Sequence, residues 1–433
     1  MAAMQGLCVT FNGLKHKFNI PRFSRQSKTT SMTKLSNNLT LLFSCIAHSY
    51  AHLFILLYAT VVLVLEREWG MSYADLAWLS VPGFVMFGLA ALPAGWLADR
   101  WSSPGMMATM LFGLGGASVF TGLADNPTEI LIGLTSIGIF AAIYHPVGIP
   151  WLVKNATNPG RALGLNGVFG SIGTALAALV AGSLADFLSW RAAFIVPGAI
   201  SLLSAAVFVY AMKRGLIVEA ETDRRPQPHS TAGDIRRAFI VLAMTVICTG
   251  MIYQSMALGL PKIFDERLGD WVRSGSGDIS AFGIGIFVTI SYIAAAIAQV
   301  IGGELAERYS LKWVYMLSQF VQVPTLIIAW SLHSPVLIIV SAFMVSFNVI
   351  GQPAENMLLA RYTPLAMRGR VFGAKFVLTL GVSSIGISLV PIFHEATGNL
   401  DSLFIFAMIF AGLAGLASMM LPSDQKMVAE PAE

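Results

Sequence analysis

His48 and His52 are one helical turn apart in a run otherwise free of charge. In a helix, side chains four residues apart share one face, so the two imidazoles would point the same way. His145 lies in a second apolar run, in Tyr144-His145-Pro146-Val147-Gly148, and Glu355 in a third, in Gly351-Gln352-Pro353-Ala354-Glu355. Imidazole changes charge near neutral pH, and a carboxyl group in an apolar wall can hold a proton. These four residues therefore suit proton carriage. Tyr253, Gln254 and Gln352 add uncharged hydrogen-bonding groups, and Lys375 is positioned either to pair with Glu355 or to reach lipid headgroups. His-x-x-x-His plus a third His is also a partial zinc set, but it has no defined fourth ligand and no thiolate cluster, so no metal is assigned. His394-Glu395 opens like a zinc-protease motif, but Gly398 stands where the second His belongs. The absence of a Walker loop and of a Gly-x-Ser-x-Gly elbow gives no reason to expect a cofactor or an enzyme. Cys8, Cys45 and Cys248 form no disulfide or metal pattern.

The composition says what must position these groups. The chain of 433 residues is 56% hydrophobic and 12% charged, too little charge to cover a soluble protein of this size. A bilayer span needs about 20 mainly apolar residues. Twelve runs qualify: 39–65, 76–98, 105–124, 128–153, 162–185, 191–212, 238–260, 279–303, 311–332, 335–360, 369–393 and 401–421. Backbone in lipid must satisfy itself, so these runs are expected to be helices, giving an all-α polytopic membrane protein. With the N-terminus in the cytoplasm, only Arg67, Arg191, Lys262, Arg267 and Arg273 of the 27 basic residues fall outside. This bias predicts both termini inside, in the plasma (bacterial inner) membrane. The net charge of +4 is then a topology signal, and its scatter over separate loops excludes nucleic acid as a partner.

The chain also repeats. Gly95-Trp96-Leu97-Ala98-Asp99-Arg100 returns as Gly303-Glu304-Leu305-Ala306-Glu307-Arg308, half a chain length later. At nearly the same offset His145 matches Gln352, Pro146 matches Pro353, Lys154 matches Arg361 and Arg161 matches Arg368. A third, partial copy, Gly182-Ser183-Leu184-Ala185-Asp186, lacks the Arg and lies at the opposite end of its span. Related halves divide the chain into a basic tail (1–38, with Met32 as an alternative start), six spans (39–212), a linker (213–237), six spans (238–421) and a second tail (422–433).

Twelve spans with Gly-x-Leu-Ala-Asp-Arg between spans 2 and 3, and a relic of it between spans 8 and 9, resemble the major facilitator superfamily. His48-x-x-x-His52, Met71-Ser72-Tyr73-Ala74-Asp75-Leu76 and Tyr144-His145-Pro146 are similar to its fosmidomycin-resistance branch, which more usually has an acid where His52 stands. The Gly-Pro signature of the superfamily's drug antiporters is absent from span 5. The resemblance implies a cavity lined by spans 1, 4, 7 and 10, the spans that hold His48, His52, His145, Tyr253, Gln254, Gln352 and Glu355. It also implies a cytoplasmic gate in which Asp99 docks on the start of span 11 and Glu307 on the start of span 5. Arg100, Lys154, Arg161, Arg308, Arg361 and Arg368 would surround that gate. The expectation is a monomeric secondary transporter of a small organic solute, exporting it in exchange for protons. Proton-coupled uptake, and a non-transporting sensor on the same fold, are the alternatives.

Overall fold

The computed structural model describes residues 23–157, 159–217, 232–273, 279–363 and 368–422. Most of the expected basic tail, the centre of the linker and nearly all of the second tail lie outside these residues. Among the described residues, twelve helices are long and apolar enough to cross a membrane. Spans 1–6 are Lys34–Trp69, Tyr73–Ala98, Ser103–Gly122, Pro127–Asn155, Arg161–Phe187 and Ala192–Lys213. Spans 7–12 are Ala232–Trp271, Ala281–Arg308, Leu311–Ser331, Val336–Tyr362, Val371–Thr397 and Asp401–Met419. The number and order agree with the sequence reading. Span 7 is much longer than expected, because hydropathy ends a span at its first charges, whereas Lys262 here stays helical by pairing with Glu66 at 2.7 Å and Asp265 at 3.4 Å. The first helix also begins earlier, at Phe23.

Local chemistry sets the helix ends. Ser102, Asn126, Ser280 and Ser310 accept from the backbone N–H three residues on, opening spans 3, 4, 8 and 9. Glu129 returns the favour by accepting from Asp125 N at 2.7 Å. Spans 1 and 11 close on Gly70 and Gly398, both at positive φ. Large apolar side chains such as Leu203, Ile297 and Ile339 are exposed around the outside, where lipid takes the place of a core partner.

The two sets of six spans meet along three seams: spans 1 and 7, 2 and 11, and 5 and 8. We call the end carrying the 2–3, 4–5, 8–9 and 10–11 connections the near end, and the other the far end. At mid-depth Gly88 of span 2 abuts Gly381 of span 11, and a Cβ on Gly88 would lie 2.0 Å from Gly381 Cα. Only backbone fits there, and small residues are what allow membrane helices to approach this closely. Gly88→Leu should therefore lower the melting temperature in detergent by an amount equivalent to about 1–3 kcal/mol, the usual cost of overpacking. Gly116→Leu, placed where nothing lies within 4 Å, should not.

Candidate functional site

Span 1 brings His48 and His52 to one face, as their spacing requires, with ring centroids 5.1 Å apart. Span 4 supplies His145 from a π-helical turn, Tyr144–Gly148, that contains Pro146. Proline has no N–H to continue the α-helical ladder, and wide turns of this kind relieve that loss. The His145 ring centroid lies 5.4 Å from those of both His48 and His52. The three histidines, separate entries in the sequence, form one triangle. Phe87 of span 2 and Phe376 of span 11 wall it, at 5.7 and 4.6 Å from His145.

A polar network fixes the triangle. His48 Nδ1 lies 2.8 Å from Asn166 O, and a carbonyl can only accept, so Nδ1 donates. The Asn166 side chain accepts from Tyr144 OH at 2.8 Å, and Ser44 Oγ lies 3.0 Å from the same phenol. The Tyr144 ring stacks on His48 at 4.6 Å. Ser44 and Asn166 escaped the sequence reading because it searched the spans for ionisable groups. Neutral amides and hydroxyls inside apolar runs are the signal that would have found them.

Glu355 does not sit in an apolar wall. Its carboxylate accepts from Lys375 Nζ at 2.6 Å and from Tyr315 OH at 2.9 Å, and all three residues are buried. Lys375 also donates to Asn356 Oδ1 at 2.5 Å, so it points into the bundle and not to the headgroups. Tyr315, on span 9, is a partner that sequence spacing could not supply. Gln352 accepts from Gln299 Nε2 at 3.0 Å, and Gln299 accepts from Ser171 Oγ at 2.6 Å, a relay from span 10 through span 8 to span 5. Tyr253 OH lies 3.2 Å from Thr174 Oγ1, joining span 7 to span 5. Gln254 is buried, and its Nε2 has no partner among the described residues.

The expected gate residues lie at the near end. Asp99 is exposed, and its carboxylate has no hydrogen bond or ion pair among the described residues. Arg100 folds back over Trp96 at 4.1 Å, and Arg308 pairs with Glu304 on its own helix. Glu307, Lys154 and Arg161 are exposed and Arg361 is half-buried, while the Arg368 side chain lies outside the described residues.

The far end holds a contact of the kind expected at the near one. Asp186 ends the partial third copy of the repeated phrase and caps span 8. Its carboxylate accepts from Ser280 Oγ at 2.7 Å, Phe282 N at 2.8 Å and Ala281 N at 3.3 Å. Gly182 lies so close that a Cβ would be 2.3 Å from Ala281 O. A carboxylate on the positive N-terminal end of a helix is a favourable placement. Glu66–Lys262 at 2.7 Å and Arg67 donating to Ile279 O at 2.6 Å seal the same end between the halves.

A twelve-span helical membrane protein of two six-span sets, with polar groups gathered at their seams, has the architecture of a solute transporter. The sequence matches the Major Facilitator Superfamily over residues 42–277 and again over 242–433, and the chain belongs to that family. It is 29% identical to the puromycin resistance protein pur8 of Streptomyces alboniger, over 36% of this chain and 32% of that one. It is 24% identical to the tetracenomycin C resistance and export protein of Streptomyces glaucescens, over 60% of this chain and 43% of that one. The matches thus span less than half the length of either relative. Among solved structures, a bacterial homologue of the human lysosomal transporter Spinster superposes with a TM-score of 0.71 at 15% identity, covering 89% of this chain and 98% of that one.

Two outcomes follow from this geometry. Glu355→Ala or Lys375→Ala alone should cost about 3–5 kcal/mol, because each strands a buried charge. The double change Glu355→Met/Lys375→Met should cost far less, and thermal unfolding in detergent reads the difference. Asp186→Ala should speed hydrogen exchange at the Ala281 and Phe282 amides by about ten-fold or more, since each loses a charge-assisted acceptor worth roughly 1.5–3 kcal/mol.

Proposed function

We propose that this chain is a secondary active transporter that exports a small organic solute in exchange for protons. Residues 39–212 rock against 238–421, with both termini in the cytoplasm of a bacterial cell. The observation that carries the reading is the buried Glu355–Lys375–Tyr315 cluster, drawn from spans 10, 11 and 9. A proton arriving on Glu355 removes the charge that holds Lys375. The ammonium is then buried without its counter-ion, a costly state that a rearrangement of spans 10 and 11 relieves. Substrate and proton thereby compete for one set of helices.

The names of the two relatives, one a resistance protein and one a resistance and export protein, support the outward direction. The far-end seal of Asp186, Glu66 and Lys262 supports alternation, with this arrangement being the one closed to the outside. On this reading Asp99 and Glu307 are idle here and dock when the near end closes. His48, His52, His145, Tyr253, Gln254 and Gln352 line the solute's path. The scarcity of unpaired cationic groups at mid-depth favours neutral, weakly charged or amphiphilic solutes over polyanions.

Proteoliposomes holding a pH-sensitive dye test the proposal. A panel of antibiotics, phosphonates, sugars and organic acids should contain a class that evokes proton movement opposite to solute movement. Glu355→Gln should abolish the proton signal while retaining solute binding. Protons moving with the solute would instead establish proton-coupled uptake. Solute crossing with no proton signal in the unmodified protein would overturn the coupling. Neither binding nor flux across the panel would favour the non-transporting alternative.

A further inference from the structure

The triangle of His48, His52 and His145 has properties that proton carriage does not require. One ring nitrogen from each residue lies within 4.8 Å of the other two. His48 donates through Nδ1 to the carbonyl of Asn166, which leaves Nε2 as the atom with the free lone pair. An outer hydrogen bond that fixes the tautomer of a ligand histidine is the usual support of a metal site. His145 is 5% exposed, and its Nδ1 has no hydrogen-bond partner among the described residues. A buried polar atom left open in this way costs stability unless something binds it. Gly170 also matters, because a Cβ there would lie 2.6 Å from His48 Nε2. Only glycine lets the ring occupy its corner of the triangle.

We propose that His48, His52 and His145 form a binding site for a borderline divalent transition metal ion of the zinc, nickel and copper class. An all-imidazole set suits these ions, whereas magnesium and calcium prefer oxygen. Tetrahedral coordination at about 2.0–2.1 Å places ligand nitrogens roughly 3.4 Å apart, so separations that now reach at most 4.8 Å contract by up to about 1.4 Å on binding. Three protein ligands leave a fourth position, open to water or to a coordinating atom of a solute. Among the described residues the nearby cation is Lys375, which immediately precedes Phe376, the ring that contacts His145, and its charge is already answered by Glu355. All three ligands come from spans 1 and 4, so the ligand set belongs to one half, with Phe376 of the other half packed against His145. The site stands whether or not transport is proton-coupled.

Purified full-length protein, stripped with chelator and titrated with Zn²⁺ and then Co²⁺, tests the site. The expected result is one equivalent of tightly bound ion and an intense visible Co²⁺ spectrum of tetrahedral type. His52→Ala and His145→Ala should each weaken binding by at least about 100-fold, beyond the 10–100-fold that loss of an outer partner costs. His333→Ala, an exposed position away from the site, should leave it unchanged. Lack of stoichiometric binding, or binding equal in all three variants, would overturn the proposal. X-ray absorption on the unmodified Zn²⁺ protein decides independently of whether a variant folds. A shell of imidazole nitrogens at about 2.0–2.1 Å supports the site, and an oxygen-only shell overturns it.

Discussion

Every polar group placed at membrane depth must be answered by another part of the protein, since lipid offers nothing. Lys375 and Glu355 are the most demanding case, two buried charges paired at 2.6 Å. Their mutual attraction is insufficient alone, and Tyr315 and Asn356 complete their shells. The same constraint shapes the softer parts of the centre. Asn166 ties Ser44, Tyr144 and His48 together, and Gln299 bridges Ser171 and Gln352. The helices are held in rotation and register by these links, while the glycine seams only allow them to come close.

The two ends of the molecule are answered differently. At the far end, charge is spent between the halves, with Asp186 on the start of span 8, Glu66 on Lys262, and Arg67 on the carbonyl of Ile279. At the near end, Arg100 and Arg308 turn inward on their own helices, and Asp99 faces out. Halves joined by these far-end contacts have a preferred state. That preference is set by a few ion contacts, each of modest energy and each able to be exchanged for solvent.

Much of this was legible in the sequence. The twelve spans, their order and the superfamily follow from hydropathy and from the phrase Gly95–Arg100, because lipid imposes a crude, length-based rule. The spacing of His48 and His52 gave their common face, since helical periodicity is local. That His145 completes a triangle with them was not legible, because contact between spans 1 and 4 depends on packing angles that composition does not encode. Glu355 shows the limit in part: pairing with Lys375 was one of two positions open to that lysine, while Tyr315 of span 9 had no signal in the sequence. Asp186 was visible as part of the partial third copy, but the sequence assigned it no role. Its phrase sits at the end opposite to the other two copies, and only the approach of span 8 at Gly182 shows that position to be a docking point.

Two π-helical turns lie beside the histidine triangle. One spans Tyr144–Gly148 and the other Val377–Gly381, and they flank the contact between His145 and Phe376. Each holds one residue more than an α-helical turn would. Should either turn relax to α geometry, everything on one side of it would rotate by about 100° about the helix axis. Relaxation of the span 4 turn would carry the His145 ring off the span 1 face, and relaxation of the span 11 turn would re-aim the residues beyond it. A single-residue slip at either turn would therefore change which side chains face the centre without any hinge loop.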